Sequence, residues 1–178
     1  MDEVVVGVVM GSASDLETMT AAVDALGEFD IGAEVRVLSA HRTPDDAIEW
    51  GRSAPDRGLK VLIAGAGAAA HLPGVLAGVT SLPVIGVPLA ATKLNGMDAL
   101  LAIAQMPSGV PVACVAVDGA RNAGLLAVRI LAASDPQLRE RYDQFRGQLA
   151  TKVRATDERI REEFDHRRTG GVDGIGFR

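Results

Sequence analysis

The sequence predicts an α/β fold of three layers around a doubly wound parallel sheet. Three observations carry that prediction. Five short β-like runs follow one another along the chain: Val4 to Met10, Val35 to Leu38, Val61 to Ala64, Val84 to Val87 and Val112 to Val117. Most are nearly continuous apolar stretches, as strands buried on both faces require, rather than the alternating pattern of a half-wet sheet. Helical patterns separate them, and regular strand–helix alternation is the signature of parallel crossovers.

Right-handed crossovers put every strand-to-helix loop at the same sheet edge, the edge where open α/β sheets bind ligands. The expected strand order is flavodoxin-like. Ala and Val dominate the 48% hydrophobic content and aromatics are 3%, which predicts close helix–sheet packing by small side chains. The chain of 178 residues reads as one domain with a sizeable core.

The elements have legible starts. Ser14-Asp15-Leu16-Glu17 matches a capping box, with Ser14 as cap and Glu17 three residues on. Thr43-Pro44-Asp45-Asp46 offers a capping Thr, a proline at the first helical position and acids in the first turn. Further helices are expected at about Met97 to Gln105 and Arg121 to Ala133. Beyond Ser134-Asp135-Pro136 the composition becomes highly charged. There, Leu138, Tyr142, Phe145, Leu149, Val153, Ile160 and Phe164 recur mostly three or four residues apart, the narrow stripe of a solvated amphipathic helix. The expected organisation is a catalytic domain over 1–135, a helix over 136–168 that packs on the body or on a neighbouring subunit, and a mobile glycine-rich tail over 169–178.

Charge and cysteine use narrow the function. A net charge of −5 argues against general affinity for nucleic acid. No apolar stretch is long enough for a membrane helix, and the acidic start does not read as a signal peptide, so a cytoplasmic location is expected. The single Cys114 lies in an apolar run and reads as a buried structural thiol in a reducing compartment. Three scattered histidines and one cysteine lack metal-ligand spacing, so no metal is expected. His166, in the charged C-terminal stretch, reads as a solvated residue.

Polar residues instead gather at the ends of the predicted strands. After the first comes Gly11-Ser12-Ala13-Ser14-Asp15, where Ser12, Ser14 and helix-start amides suit a phosphate and Asp15 suits ribose hydroxyls. After the second comes Ser39-Ala40-His41-Arg42-Thr43-Pro44. It sets a group that moves protons near neutral pH beside a permanent cation able to fork onto phosphate oxygens. After the third comes Gly65-Ala66-Gly67-Ala68-Ala69-Ala70-His71-Leu72-Pro73-Gly74, whose small side chains let a ligand approach the backbone. Capping, tight packing and loop tethering are the structural alternatives for these stretches, His71 included. Leu94-Asn95-Gly96-Met97-Asp98 suits a helix cap closing over a site. Gln105-Met106-Pro107-Ser108-Gly109 reads as a turn whose Gln105 and Met106 either line a pocket or pack.

Taken in order, Gly-Ser-x-Ser-Asp, Ser-Ala-His-Arg-Thr-Pro, Gly-Ala-Gly-x-Ala-Ala-His-Leu-Pro-Gly and Gln-Met-Pro-x-Gly-Val-Pro-Val make the chain resemble a known family over about Val4 to Ala133. It is that of the class I N5-carboxyaminoimidazole ribonucleotide mutases of de novo purine synthesis, also called the catalytic subunit of phosphoribosylaminoimidazole carboxylase. The resemblance implies a flavodoxin-like homo-octamer without a cofactor, and functional partnership with an ATP-dependent synthetase that makes the substrate. It implies transfer of a carboxylate from an exocyclic nitrogen to ring carbon C4 of a ribonucleotide. It also implies that His41 transfers the proton, that Ser12, Ser14, Asp15 and Arg42 bind the nucleotide, and that Gly65, Ala66, Gly67 and His71 border the migrating carboxylate. The chain departs from the family pattern at Ala68, usually a second glycine, at Ala99, commonly serine, at Leu16, often tryptophan, and in a short Val117 to Ala120.

Three other readings compete. A class II relative carboxylates aminoimidazole ribonucleotide directly with CO2, but typically carries Lys after the site histidine and Arg-Ser-Asn in the third loop; here stand Arg42 and Ala69-Ala70-His71. A related carboxylase of nickel-cofactor synthesis usually has an additional N-terminal region. A non-catalytic nucleotide-binding module would keep Ser12, Asp15 and Arg42 without needing His41.

Overall fold

The computed structural model describes residues 4–169, with side chains to residue 165. Five parallel strands lie in the order β2-β1-β3-β4-β5, the flavodoxin-like order. They are β1 (Val4–Met10), β2 (Gly32–Val37), β3 (Val61–Gly67), β4 (Val84–Leu89) and β5 (Ala113–Cys114). The α-helices of the described residues are α1 (Leu16–Gly27), α2 (Pro44–Ser53), α3 (Leu72–Ala77), α4 (Met97–Ala104), α5 (Ala120–Ala132) and α6 (Pro136–Thr169).

Each face of the sheet buries its own core. On one side Val6, Val8, Met10, Ile63 and Ile85 meet α1 and α5 through Met19, Ala22, Ala123 and Ala127. On the other, Val9, Leu62 and Ala64 meet α2, α3 and α4 through Trp50, Leu76 and Ile103. Small residues set the spacing, as the composition predicts. A Cβ on Gly124 of α5 would stand 2.5 Å from the Ala22 carbonyl oxygen of α1. A Cβ on Gly7 would stand 2.8 Å from the Trp50 ring, so Gly7 makes room for the chain's one tryptophan on the sheet.

Several boundaries differ from the sequence reading for physical reasons. The fifth strand shrinks to two residues because its neighbour carries Pro88, which has no N–H to return to the ladder. The Gly86 and Pro88 carbonyls still accept from Val115 N–H at 3.1 Å and Asp118 N–H at 2.8 Å. Helix α3 begins inside the small-residue stretch that reads as loop; Pro73 sits in its first turn, where a missing N–H costs nothing. The capping box at Ser14 does not form. Ser12 instead caps a 3₁₀ turn over Ala13–Asp15, accepting from Ser14 N–H, and α1 starts at Leu16. Thr43 and Pro44 take the expected cap and first-turn positions of α2, but the Thr43 side chain makes no cap bond. Cys114 is half-buried rather than buried, and burial pushes its thiol up from the usual range.

Asp135 caps α6 by accepting from Gln137 N–H at 2.9 Å and Leu138 N–H at 3.1 Å. The first turns of α6 pack on the body. Tyr142 stacks on Phe29 at 5.7 Å between centroids, and Phe145 meets the same ring edge-on at 5.6 Å. Residues 151–165 are exposed throughout. The expectation for the tail falls outside the described residues save for Thr169, which ends α6, and the side chain of His166 also lies outside them. Among the described residues, no helix is long and apolar enough to cross a membrane.

Candidate active site

The loops after β1, β2, β3 and β4 meet over the junction of β1 and β3, where the sheet order reverses. They enclose an open pocket of ≈ 330 Å³. Ser12, Ser14, Asp15, His41, Arg42, Ala66, Gly67 and His71 all line it, so three motifs far apart in sequence converge on one place. Gly65 does not. It lies within β3, where an added Cβ would stand 2.4 Å from Met19 Sδ, so its place is in the packing of α1 on the sheet.

The β1 loop ends in a small hydroxyl cluster. Ser12 Oγ accepts from the Ser14 N–H at 3.3 Å and lies 2.9 Å from Ser14 Oγ, which also approaches Asp15 Oδ1 at 3.3 Å. These residues stand at the start of α1, where free amides and the helix dipole favour an anion.

The β2 loop is stitched by side chain to backbone. Thr43 Oγ1 accepts from Ser39 N–H at 3.0 Å and reaches the Ser39 carbonyl at 3.3 Å. Ser39 Oγ accepts from the N–H groups of Arg42 at 3.2 Å and His41 at 3.4 Å. Arg42 extends across the pocket mouth and donates from Nη2 to the Gly11 carbonyl at 2.6 Å, tying the β2 loop to the β1 loop.

The β3 loop is shaped by closeness instead. A Cβ on Gly67 would stand 2.5 Å from Ala91 Cβ and 3.2 Å from the Leu89 carbonyl oxygen, so only glycine lets the β3 and β4 ends approach this far. Ala68 follows with φ 54°, a left-handed backbone that costs an L-residue about 1–2 kcal/mol. Two tight turns come next, Ala70 N–H to the Ala68 carbonyl at 2.9 Å and His71 N–H to the Ala69 carbonyl at 2.8 Å. They deliver the His71 ring to His41: His71 Nδ1 lies 2.8 Å from His41 Nε2, with the rings nearly perpendicular at 83°. Such a bond needs a hydrogen on one of the two nitrogens and a lone pair on the other, so the two rings take complementary donor and acceptor roles.

Ser39, Ala40, Leu72 and Ala91 also line the pocket. Ser39 stands inside a motif that sequence reading singles out, and only its contacts give it weight. Ala91 carries no sequence signal. Gln105 and Met106 are absent from the pocket lining; Met106 packs over Gly74, whose added Cβ would stand 3.0 Å from Met106 Sδ. The following residues form the expected turn, with Val110 N–H on the Pro107 carbonyl at 3.2 Å and Gly109 at φ 93°. Gly96, at φ 83°, is the N-cap of α4, and Ala99 is buried in that helix.

Among the described residues, no group of three or more His, Cys, Asp or Glu side chains is placed to hold a metal ion. The arrangement can fix an anion with Arg42, the serines and the helix start, and can take and return a proton through the paired imidazoles.

Comparison with known proteins agrees on one family. A sequence model of the AIR carboxylase family matches residues 5–152. An N5-carboxyaminoimidazole ribonucleotide mutase of Mycobacterium leprae is 60% identical over 152 residues, 85% of this chain and 89% of that protein. One from Pyrococcus horikoshii is 50% identical over 157 residues, 88% of this chain and 89% of its own. The crystal structure of Treponema denticola PurE superposes with a TM-score of 0.81 at 28% identity, covering 89% of this chain and 99% of that one. With the family match, the close relatives and the shared fold in agreement, the chain belongs to the AIR carboxylase family.

Proposed function

We propose that the protein is an N5-carboxyaminoimidazole ribonucleotide mutase, an isomerase of purine biosynthesis. It moves the carboxylate from the exocyclic nitrogen to C4 and gives 4-carboxy-5-aminoimidazole ribonucleotide. The observation that carries this reading is the imidazole pair, 2.8 Å apart, beside an anchored arginine in one pocket. The relatives that share the name support it.

In this reading Arg42, Ser12, Ser14 and the start of α1 hold the substrate phosphate, and Asp15 accepts from ribose hydroxyls. The β3 loop from Ala66 to His71 borders the carboxylate. The N-carboxylate is a carbamate: its C–N bond breaks, the electron pair stays on nitrogen, and CO2 is released into the pocket. Held there, CO2 is attacked by the electron-rich C4 before it escapes, since proximity favours recapture. The new C–C bond leaves a hydrogen on C4. His41 takes that proton, restoring ring aromaticity, and returns a proton to the exocyclic nitrogen. Atoms and charge balance as an isomerisation, and the steps call for no cofactor.

Residues 1–135 act as the catalytic domain, and the helix of 136–168 docks on the body and on a neighbouring copy. A homo-octamer in the cytoplasm, working beside an ATP-dependent synthetase that forms the carbamate, completes the proposal.

The test is turnover of N5-carboxyaminoimidazole ribonucleotide by purified protein without added metal or bicarbonate, run beside aminoimidazole ribonucleotide plus bicarbonate. Efficient conversion in the first alone is the expected result. Activity in the second alone would make the protein a direct carboxylase, and silence in both would leave a nucleotide-binding module.

A further inference from the structure

We infer that Ser39 is a positioning residue that aims Arg42 at the bound anion. A serine hydroxyl has two acceptor lone pairs and one hydrogen. Around Ser39 Oγ three N–H groups of the chain converge: Arg42 N at 3.2 Å, Arg42 Nε at 3.3 Å and His41 N at 3.4 Å. The oxygen's accepting capacity is therefore filled by the protein itself. A serine that only shapes its turn needs the backbone N–H bonds and nothing more. The contact to Arg42 Nε goes beyond that, because it reaches the guanidinium.

The guanidinium is thus held at two points. Its Nε is on Ser39, and its Nη2 is on the Gly11 carbonyl at 2.6 Å, 31 residues away in sequence. Two anchors fix the plane of the fork and leave Nη1 uncommitted to either of them. A fork already oriented loses less conformational freedom when an anion binds. Ser39 is itself held in place, because Thr43 Oγ1 accepts from its N–H at 3.0 Å and contacts its carbonyl at 3.3 Å. The order of support runs from Thr43 to Ser39 to Arg42 to ligand.

This inference rests on the anion-binding role of Arg42 proposed above. The test is a double-mutant cycle of Ser39→Ala and Arg42→Ala, read as KM and kcat for the carboxyamino ribonucleotide and, independently of turnover, as the Kd of inorganic phosphate by calorimetry. Ser39→Ala is expected to raise KM and the phosphate Kd about tenfold, with kcat changed less, as loss of a bond to a charged group does. In the Arg42→Ala background it adds less than about twofold, because the effect runs through the arginine. Ser39→Thr, which keeps the hydroxyl, stays within about threefold of the wild type. Ser39→Cys, a weak acceptor of similar volume, carries the test if the alanine variant does not fold, with the same rise expected. Additive effects in the cycle, or a lower melting temperature at unchanged KM and Kd, would overturn the inference. Loss of wild-type turnover with phosphate binding intact would count against the mutase reading and leave the Ser39 cycle decisive; a wild type that neither turns over nor binds phosphate overturns both.

Discussion

Two loops of the pocket each present a histidine, and they do so by different physics. The loop after β2 holds His41 with side-chain bonds to the backbone, Ser39 and Thr43 clasping each other and Arg42 reaching the β1 loop. The loop after β3 has almost no side chains to bond with. It holds His71 by close packing at Gly67, a left-handed Ala68 and two tight backbone turns. Polar stitching leaves each bond separately replaceable. Packing and backbone strain make the second loop depend on the size of single residues.

The largest effect should come from the chemistry that both loops serve. His41→Ala is expected to lower kcat by about 10²–10⁴-fold with the fold intact, since the ring is exposed in the pocket and buries no core. Steady-state kinetics with a melting curve checks it, and full activity in a folded variant would remove His41 from the proton-transfer role.

Next comes the packed loop. Gly67→Ala places a methyl 2.5 Å from Ala91 Cβ, and something must shift. A loss of about 1–3 kcal/mol in denaturant unfolding is expected, with reduced turnover as His71 leaves His41. An unchanged stability would show that the β3 and β4 ends yield more easily than the geometry implies.

Ala68→Gly should act in the opposite direction. It relieves the backbone at φ 54° and is expected to stabilise the protein by about 1 kcal/mol, visible as a raised denaturation midpoint. A drop in stability would mean that the Ala68 methyl contributes more than its backbone costs.

The smallest effect concerns the support under the polar loop. Glu34 on β2 accepts from Trp50 Nε1 at 2.6 Å and Arg57 Nε at 3.2 Å, holding α2 and the turn after it to the sheet edge. Burial pushes its carboxyl up, but the Trp50 and Arg57 hydrogen bonds, with the charges of Arg57 and Arg36, outweigh burial and hold it below the usual 4.5. A depressed carboxylate favours the folded state above its unfolded pKa, and that contribution is lost as pH falls through the folded value. Melting temperatures of wild type and Glu34→Gln should therefore converge as pH drops below about 4.5. A constant gap across that range would show that the carboxylate's charge is not what ties α2 down.

Much of this molecule is legible from residue order. The strand run Val4 to Met10 matches β1 at both ends, and Thr43-Pro44 marks the start of α2. Polar residues at strand ends announce a site because parallel crossovers send all such ends to one edge. Residue order misleads where a local signal has two uses. Ser14 carries the cap pattern, but Ser12 makes the bond because the chain enters α1 through a 3₁₀ turn. Gly65 shares its motif with Gly67 yet packs under Met19, because it lies inside the sheet, paired with Met10 and Val87, whereas Gly67 ends β3 where the strand opens into the loop.

The sequence by itself determined the parallel three-layer architecture, the small-residue packing and the residue types at the site, because periodicity, breakers and chemistry are local properties. Only the tertiary structure decided that His41 meets His71, that Arg42 bridges to Gly11 and that Ala91 limits Gly67. Those partners lie on different strand ends, and their distances are set by sheet order, by the approach of neighbouring loops and by a backbone turn at Ala68 that no periodicity encodes.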